Sequence, residues 1–414
     1  MQNSNKSKKK LTTLVKIGIL LFIFLFVVCN KTLKPVPKIA LQNNMITGIH
    51  LQENDMEDIV NNDNNPLQVE ERVSKKNFNL SNIKILNNVN YSIPDFPVDV
   101  VYTWVNGSDP IWIKKKDKAM KDNDIKIAKR AQTGRYVDIG ELKYSLRCVE
   151  KFIPWVNKIY IVTDNQFPSF LKKGLSKIEV ISHEQIIPNE FLPTFNSNNI
   201  DFHLHRIPNL SEHFIYLNDD VFISRPLKRQ NFYDASGNPK LPVANYNWEK
   251  HKEYIERLSL RHWNRNDMGS NQYNLITMHT VDVFEKKFNF TVNFKCRHGY
   301  IPLTVSLMTK IWDNFEKELS IVETHVFRSF QDIQMPTLLI QFGIGLSYSS
   351  ILHTSRSVRY LVMTGQFMIK LKNFNSSDYD SFCMNSGERT SDHMRIAAKN
   401  FLQKTYPGKS SFEV

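Results

Sequence analysis

The stretch FIYLNDDVFIS, Phe214 to Ser224, constrains the fold of this 414-residue chain more than any other. Phe214 to Leu217 is apolar and strand-like. Asn218, Asp219 and Asp220 follow at once, and Val221 to Ile223 resumes the apolar character. Two adjacent carboxylates beside a core are costly to bury unless something positive compensates them. The chain must either turn one Asp into a cap and the other into solvent, or bring a cation to the pair. Embedding between apolar runs favours the cation.

Other apolar runs end in the same way. VDVVYTWVNG (98–107) is rich in β-branched and aromatic residues and ends in Asn-Gly, so it reads as a strand entering a turn. KIYIVTDN (158–165) and the shorter KIEVISHEQIIP (177–188) read as the second and third strands, and FIYLNDDVFIS as the fourth. ELKYSLRCVEKF (141–152) sets Leu142, Leu146 and Val149 on one helical face and stops before Pro154. Residues 111–133 carry many lysines and predict an exposed helix or a loop. Strands alternating with helices predict an α/β fold, a Rossmann-like core on a mainly parallel sheet. The chain is more helical from 296 onward, and its last helix stops at Pro407. In such sheets ligands bind beyond the carboxyl ends of the strands. Asn106, Asp164, Asn165, Asp219 and Asp220 would converge on that rim.

Residues 11–29, LTTLVKIGILLFIFLFVVC, are apolar apart from Lys16 and long enough to span a bilayer. Lys6, Lys8, Lys9 and Lys10 precede them, which places residues 1–10 in the cytosol. The expectation is an uncleaved type II anchor rather than a signal peptide, since Cys29-Asn30-Lys31 is no small-residue cleavage site. Residues 30–95, rich in Asn, Lys, Asp and Glu, read as a largely disordered stem, and 96–414 as the catalytic domain. Sequons at Asn79, Asn90, Asn209, Asn289 and Asn375 fit a lumenal compartment. Asn106 also heads a sequon, and a glycan there would be incompatible with a site at that strand end. The 4 cysteines form no CxxC pair, and one left unpaired in the lumen would permit a covalent homodimer. The net charge of +13 suits phosphates or an anionic membrane, or is a solvated surface; no nucleic-acid partner is expected.

Further candidates are polar. His203 and His205 flank Leu204 and would share one face of a strand, in a structural or substrate-contact role. His183-Glu184 ends a strand or caps a helix. His298, in RHGYIPL, with Arg328 and Asp332, in FRSFQDIQ, could supply a base, a charge clamp and a metal ligand or orienting group for phosphoryl transfer.

These segments resemble the four blocks of the Stealth proteins: DVVYTWVNGSDP (99–110); 135–166 with 194–227; RHGYIPL through FRSFQDIQ (297–334); and 383–414. That family includes bacterial capsule polymerases and the alpha/beta subunit of an N-acetylglucosamine-1-phosphotransferase. The resemblance implies transfer of a sugar 1-phosphate, with GlcNAc-1-phosphate from UDP-GlcNAc as the donor group, to a glycan or glycoprotein hydroxyl, with release of UMP. It implies a nucleotide-sugar-binding core. The anchor, with the supply of nucleotide sugar, leads to an expectation of Golgi residence with the catalytic domain in the lumen. The short stretch from Phe222 to His298 lacks Notch-like cysteine modules and an EF-hand loop. Asn385-Ser386 stands where the resemblance leads one to expect Asn-Asp.

Carried over residue by residue, the resemblance assigns Asp219 and Asp220 to Mg²⁺ or Mn²⁺. It makes His298 the base, Arg328 the phosphate clamp, and Asp332 an orienting residue or a metal ligand. Trp104, Asn106 and Gly107 border the nucleotide, with Asn196, Ser197 and Asn385 as further contacts. The alternatives are a metal-dependent glycosyltransferase that moves the sugar alone and a non-catalytic protein of the same fold.

Overall fold

The computed structural model describes residues 92–125, 136–259, 270–352, 356–387 and 390–414. The expected cytosolic tail, the anchor at 11–29, nearly all of the stem, and the sequons at Asn79 and Asn90 lie outside the described residues. Among the described residues no helix is long and apolar enough to cross a membrane. Asn209, Asn289 and Asn375 are exposed, whereas Asn106 is half-buried.

A five-stranded sheet carries the fold, in the order β3-β2-β1-β4-β8. Its strands are β1 (Val98–Thr103), β2 (Ile159–Thr163), β3 (Ile178–Ser182), β4 (His213–Asn218) and β8 (Ile301–Thr304). The first four run parallel, and β8 closes the edge antiparallel to β4. The predicted mainly parallel α/β core is present. Alternate residues of β1 point to opposite faces. Val98, Val100 and Tyr102 join one core with Leu142, Leu146 and Val149 of helix α2 (Glu141–Phe152). Val101 joins a second core on the other face. A strand buried on both faces must read as a continuous apolar run, which is why β1 lacks polar alternation.

Helix α1 (Pro110–Asp122) turns the lysine-rich segment into a defined element. Asp109 caps it by accepting the Ile111 N–H at 2.8 Å, proline stands at its first position, and Trp112 and Ala119 are buried. Helix α3 (Ser197–His203) replaces the strand expected around His203 and His205. Its cap is Asn196, whose side chain accepts the Asn198 N–H at 3.1 Å. His203 is fully buried, with Nδ1 on the Asn199 carbonyl at 2.7 Å and Nε2 on Glu323 at 3.0 Å. A two-residue His-Leu-His alternation was too short to outweigh that cap. His183 begins a single 3₁₀ turn after β3, capped by Ser182.

The opening stretch is two strands in two sheets. β4 ends at Asn218, the chain bends at Asp219-Asp220, and β5 (Val221–Ile223) leaves for a smaller sheet in the order β10-β11-β5. β10 is Val358–Val362 and β11 is Ser381–Asn385. A third sheet joins β6 (Lys240–Asn245), β7 (Phe294–Cys296) and β9 (Ser350–Leu352). Helices α4 (Trp248–Ser259), α5 (Ser270–Phe288), α6 (Val305–Glu323), α7 (Met335–Leu339, continued by a π turn) and α8 (Asp392–Thr405) pack around these sheets, with two short helices at Arg229–Phe232 and Phe367–Lys372. Cys148, Cys296 and Cys383 are free thiols.

The C-terminal segment is tied to α2. The Arg147 guanidinium grips Glu413 through Nε and Nη2, both at 2.7 Å, and donates Nη1 to the Tyr406 carbonyl. The Arg147 and Glu413 side chains are only 10% and 4% exposed. Removing one member of such a pair leaves an uncompensated buried charge, a loss of roughly 3–5 kcal/mol. Glu413→Ala should therefore lower unfolding stability by that amount in urea. Lys118→Ala, which breaks the exposed pair with Asp122, should change it by no more than about 0.5 kcal/mol.

Candidate functional site

The strand order dictates where a ligand can enter. β1 has β2 on one side and β4 on the other, so the direction of winding reverses between β1 and β4. Crevices at such switch points hold ligands in open α/β sheets. Thr103 pairs with Asn218, so the two strands end level. Trp104, Asn106 and Gly107 leave one strand end; Asp219 and Asp220 leave the other.

The first loop is rigidly held. The Asn106 N–H donates to Gln166 Oε1 at 2.8 Å, and its carbonyl accepts from Gln166 Nε2 at 3.1 Å. A Cβ on Gly107 would lie 1.8 Å from the Tyr136 carbonyl oxygen, so this position admits only glycine without backbone movement. Trp104 is buried, and its Nε1 donates to Asp138 at 3.1 Å.

The second strand end concentrates negative charge. Burial, then the carboxylates of Asp220 and Asp138, push the Asp219 carboxyl well above the usual range. Glu141, the first residue of α2 and 4% exposed, is raised by burial and by the carboxylates of Asp219 and Asp138. Asp220 Oδ2 accepts from Asn385 Nδ2 at 3.2 Å, while Oδ1 is buried without a partner. Hard carboxylate oxygens, one of them orphaned, suit Mg²⁺ or Mn²⁺, which take one or two carboxylates and complete their shell with phosphate oxygens and water. Among the described residues no three His, Cys, Asp or Glu side chains are arranged to hold a metal ion. The fit is therefore to a pair of protein ligands.

His298 faces this charge. Its ring stacks on Tyr360 with centroids 4.8 Å apart, and its Nδ1 is buried without a partner. Burial lowers its pKa below the ordinary 6.5, the Asp220 carboxylate opposes that, and Lys295 and Arg328 reinforce it. The balance leaves an imidazole neutral at pH 7, the form that accepts a proton. Arg328 donates from Nε to Ser197 Oγ at 3.2 Å and also from Nη2 to the same oxygen. It acts electrostatically on both His298 and Asp201.

Asp332 takes the orienting one of its two expected tasks, and Asn196 has another task than expected. Asp332 is fully buried. Its Oδ2 accepts from Asn196 Nδ2 at 2.9 Å, Asn198 Nδ2 at 3.1 Å and the Ser329 N–H at 3.0 Å; its Oδ1 meets His325 Nδ1 at 2.7 Å. A carboxylate enclosed by four donors is placed to organise the loop rather than to bind a metal. Asn196 is likewise fully buried, capping α3 and holding Asp332 instead of lining an open site. Ser197 holds Arg328. The sequence-predicted Asp219, Asp220 and Asn385 come together directly, and His298 and Arg328 join them through their fields.

Four residues escaped sequence reasoning: Asp138, Glu141, Asp201 and His325. Asp201 is buried with its carboxyl pushed up to about 6 by burial, against the Tyr216 hydroxyl bond and Arg328. Tyr216 Oη lies 2.8 Å from Asp201 Oδ1, 2.7 Å from Asn218 Oδ1 and 3.0 Å from Thr103 Oγ1, linking α3 to both strand ends.

Comparison with known proteins follows the same segments. Residues 96–124, 135–241 and 297–344 match Stealth protein conserved regions 1, 2 and 3. The capsular polysaccharide phosphotransferase fcs1 of Haemophilus influenzae is 33% identical over 313 residues, 74% of this chain and 82% of that protein. The receptor polysaccharide phosphotransferase WefC of Streptococcus gordonii is 32% identical over 353 residues, 77% of this chain and 99% of that protein. Among solved structures, the galactosyltransferase LgtC in complex with donor and acceptor sugar analogs aligns over 76% of this chain and 96% of its own, with a TM-score of 0.39 and 11% identity.

The charge cluster predicts a pH signature. An acid whose folded-state pKa exceeds its unfolded value favours folding while protonated; its contribution falls as pH rises from the ordinary carboxylate range through the raised value. Asp219→Asn and Glu141→Gln should each raise the melting temperature at pH 8 by about 2 °C or more and change it little near pH 4. Calorimetric scans at both pH values check this. Equal or lower melting temperatures at pH 8 would mean the acids do not repel one another in the folded chain.

Proposed function

Because this chain belongs to the Stealth family, we propose that it transfers a sugar 1-phosphate from a nucleotide-sugar diphosphate to a hydroxyl of a glycan acceptor, releasing the nucleoside monophosphate. The observation that supports this reading is the pair of carboxylates at the switch point, with a buried imidazole in the field of one of them and of a guanidinium. Relatives named as polysaccharide phosphotransferases support the reaction class. UDP-GlcNAc is the donor we assign, with UMP as the leaving product and a glycan or glycoprotein as acceptor.

The reaction joins the acceptor oxygen to the β-phosphorus and breaks the bond between that phosphorus and the bridging oxygen. His298 takes the acceptor proton as attack proceeds, worth roughly 10²–10⁴-fold for a well-placed base. Arg328, aimed by Ser197, neutralises charge on the equatorial oxygens of the transferred phosphoryl group. Trp104, Asn106 and Gly107 form the wall for the nucleotide, where the absence of a side chain at Gly107 lets the backbone approach Tyr136 closely. Asp219 and Asp220 would hold Mg²⁺ or Mn²⁺, which when bound supplies positive charge to the diphosphate. Asn385 fixes Asp220 in orientation. Residues 11–29 would tether this machinery to a Golgi membrane, facing the lumen.

The released nucleotide tests the reading. The chain incubated with UDP-GlcNAc, Mn²⁺ and a mannoside should yield UMP and a phosphodiester-linked product. UDP with a glycosidic product would assign it instead to sugar transfer. His298→Ala should keep donor binding and lose 10²–10⁴-fold in turnover. Asp219→Ala should lose at least about 10²-fold, and excess Mn²⁺ should not restore it.

A further inference from the structure

The loop that carries Arg328 holds a second histidine in a geometry suited to proton transfer. His325 Nδ1 lies 2.7 Å from Asp332 Oδ1. Asp332 Oδ2 receives three N–H donors, from Asn196, Asn198 and Ser329, so this carboxylate serves as the acceptor of the loop. With Oδ1 accepting from Nδ1, Nε2 is left as the functional nitrogen. Nε2 makes no hydrogen bond among the described residues, and the side chain is 21% exposed, against 0% for Asp332. A buried carboxylate fixing one imidazole nitrogen and leaving the other accessible is the arrangement by which catalytic histidines are oriented.

Its place relative to the two strand ends is also set. The Phe195 N–H donates to the Val326 carbonyl at 2.7 Å, and the Phe195 carbonyl accepts from Tyr136 Oη at 3.3 Å. Tyr136 is the residue whose backbone presses on Gly107. Phe195 stacks on Phe327 with centroids 5.2 Å apart. His325 is thus joined through its neighbours to the loop after β1, where the nucleotide would lie. His298 is held elsewhere, stacked on Tyr360 and within the field of Asp220.

We propose that His325, held by Asp332, is the general acid that protonates the departing nucleotide phosphate. This rests on the nucleotide-diphosphate donor proposed above. As the acceptor oxygen bonds to the β-phosphorus and its proton passes to His298, the bond from that phosphorus to the bridging oxygen breaks. The electron pair stays with the bridging oxygen, and the proton on His325 Nε2 moves to it. The nucleoside monophosphate leaves, and both histidines then exchange protons with water. Asp332 is a positioning residue: it holds Nδ1 and so aims Nε2. The charged and titratable groups around the pair are Arg328 on the same loop, Glu323 at the end of α6, turned toward His203, and His279 of α5, which feels the Asp332 carboxylate.

The test uses His325→Asn in the full-length chain, because the Asn side-chain nitrogen can replace Nδ1 and keep the bond to Asp332, while nothing replaces Nε2. UDP is the probe, bound in two buffers of different ionisation enthalpy near pH 7, alongside turnover with UDP-GlcNAc. The expected result is that wild type takes up protons on binding UDP. The variant should bind UDP with little uptake and lose 10²–10⁴-fold in turnover. Asp332→Asn should shift the alkaline limb of the pH–rate profile to lower pH, a change that a purely structural carboxylate would not cause. Binding of UDP by the variant with unchanged proton uptake and near-normal turnover would overturn the assignment and leave the donor site standing. Failure of wild type to bind UDP would overturn the nucleotide-donor reading itself, and this assignment with it.

Discussion

Like charge held together where a buried strand ends is the constraint on which the site depends. Asp138, Glu141, Asp219 and Asp220 repel one another in surroundings that water screens poorly, and two of them are driven toward their neutral forms. The arrangement persists because three of these acids are fixed by something else. Trp104 and the Gly140 N–H hold Asp138, the Ile139 N–H holds Glu141, and Asn385 and β11 hold Asp220. The scaffold supplies the energy that keeps the charges close, and a cation would relieve the repulsion. Stability is thereby exchanged for an attraction toward positively charged partners, a common property of functional sites.

A second organising group is Asp332. It is far from solvent, yet it determines the shape of two segments more than a hundred residues apart in sequence. Through Asn196 and Asn198 it fixes the start of α3; through Ser329 and His325 it fixes the loop bearing Arg328. Ser197, the first residue of α3, then binds Arg328 directly. Helix cap, buried carboxylate and guanidinium form one unit, so the position of the clamp is inherited from the packing beneath it.

Much of this was legible in the sequence. β1, β2, β3, α2 and α8 announce themselves because strands buried on both faces read as apolar runs and amphipathic helices read at their own period. The rim could be placed because the runs end in polar residues. What escaped depended on distant partners. FIYLNDDVFIS reads as one strand; only pairing of β5 with β11 shows that the chain changes sheets at Asp219-Asp220. Glu141 opens a helix, where an acid is ordinarily a solvated residue favoured by the helix dipole, and nothing local signals burial. His325 has no nearby motif, since its meaning comes from Asp332 after the loop has closed. Asn196 was expected to line the nucleotide site, because burial cannot be read from residue type alone.

The passage of the chain from β4 into β5 has a consequence for assembly. Asp220 finds its side-chain and backbone partners on β11, in Asn385 and Met384, 165 residues later in the case of Asn385. Contacts so remote in sequence form slowly, because a long loop must close before it is rewarded. During synthesis the two aspartates and the strand that delivers them emerge well before the segment that completes their surroundings. The parallel sheet can assemble while this corner stays open, so competence should appear as one of the last events in maturation, set by the arrival of a single short strand.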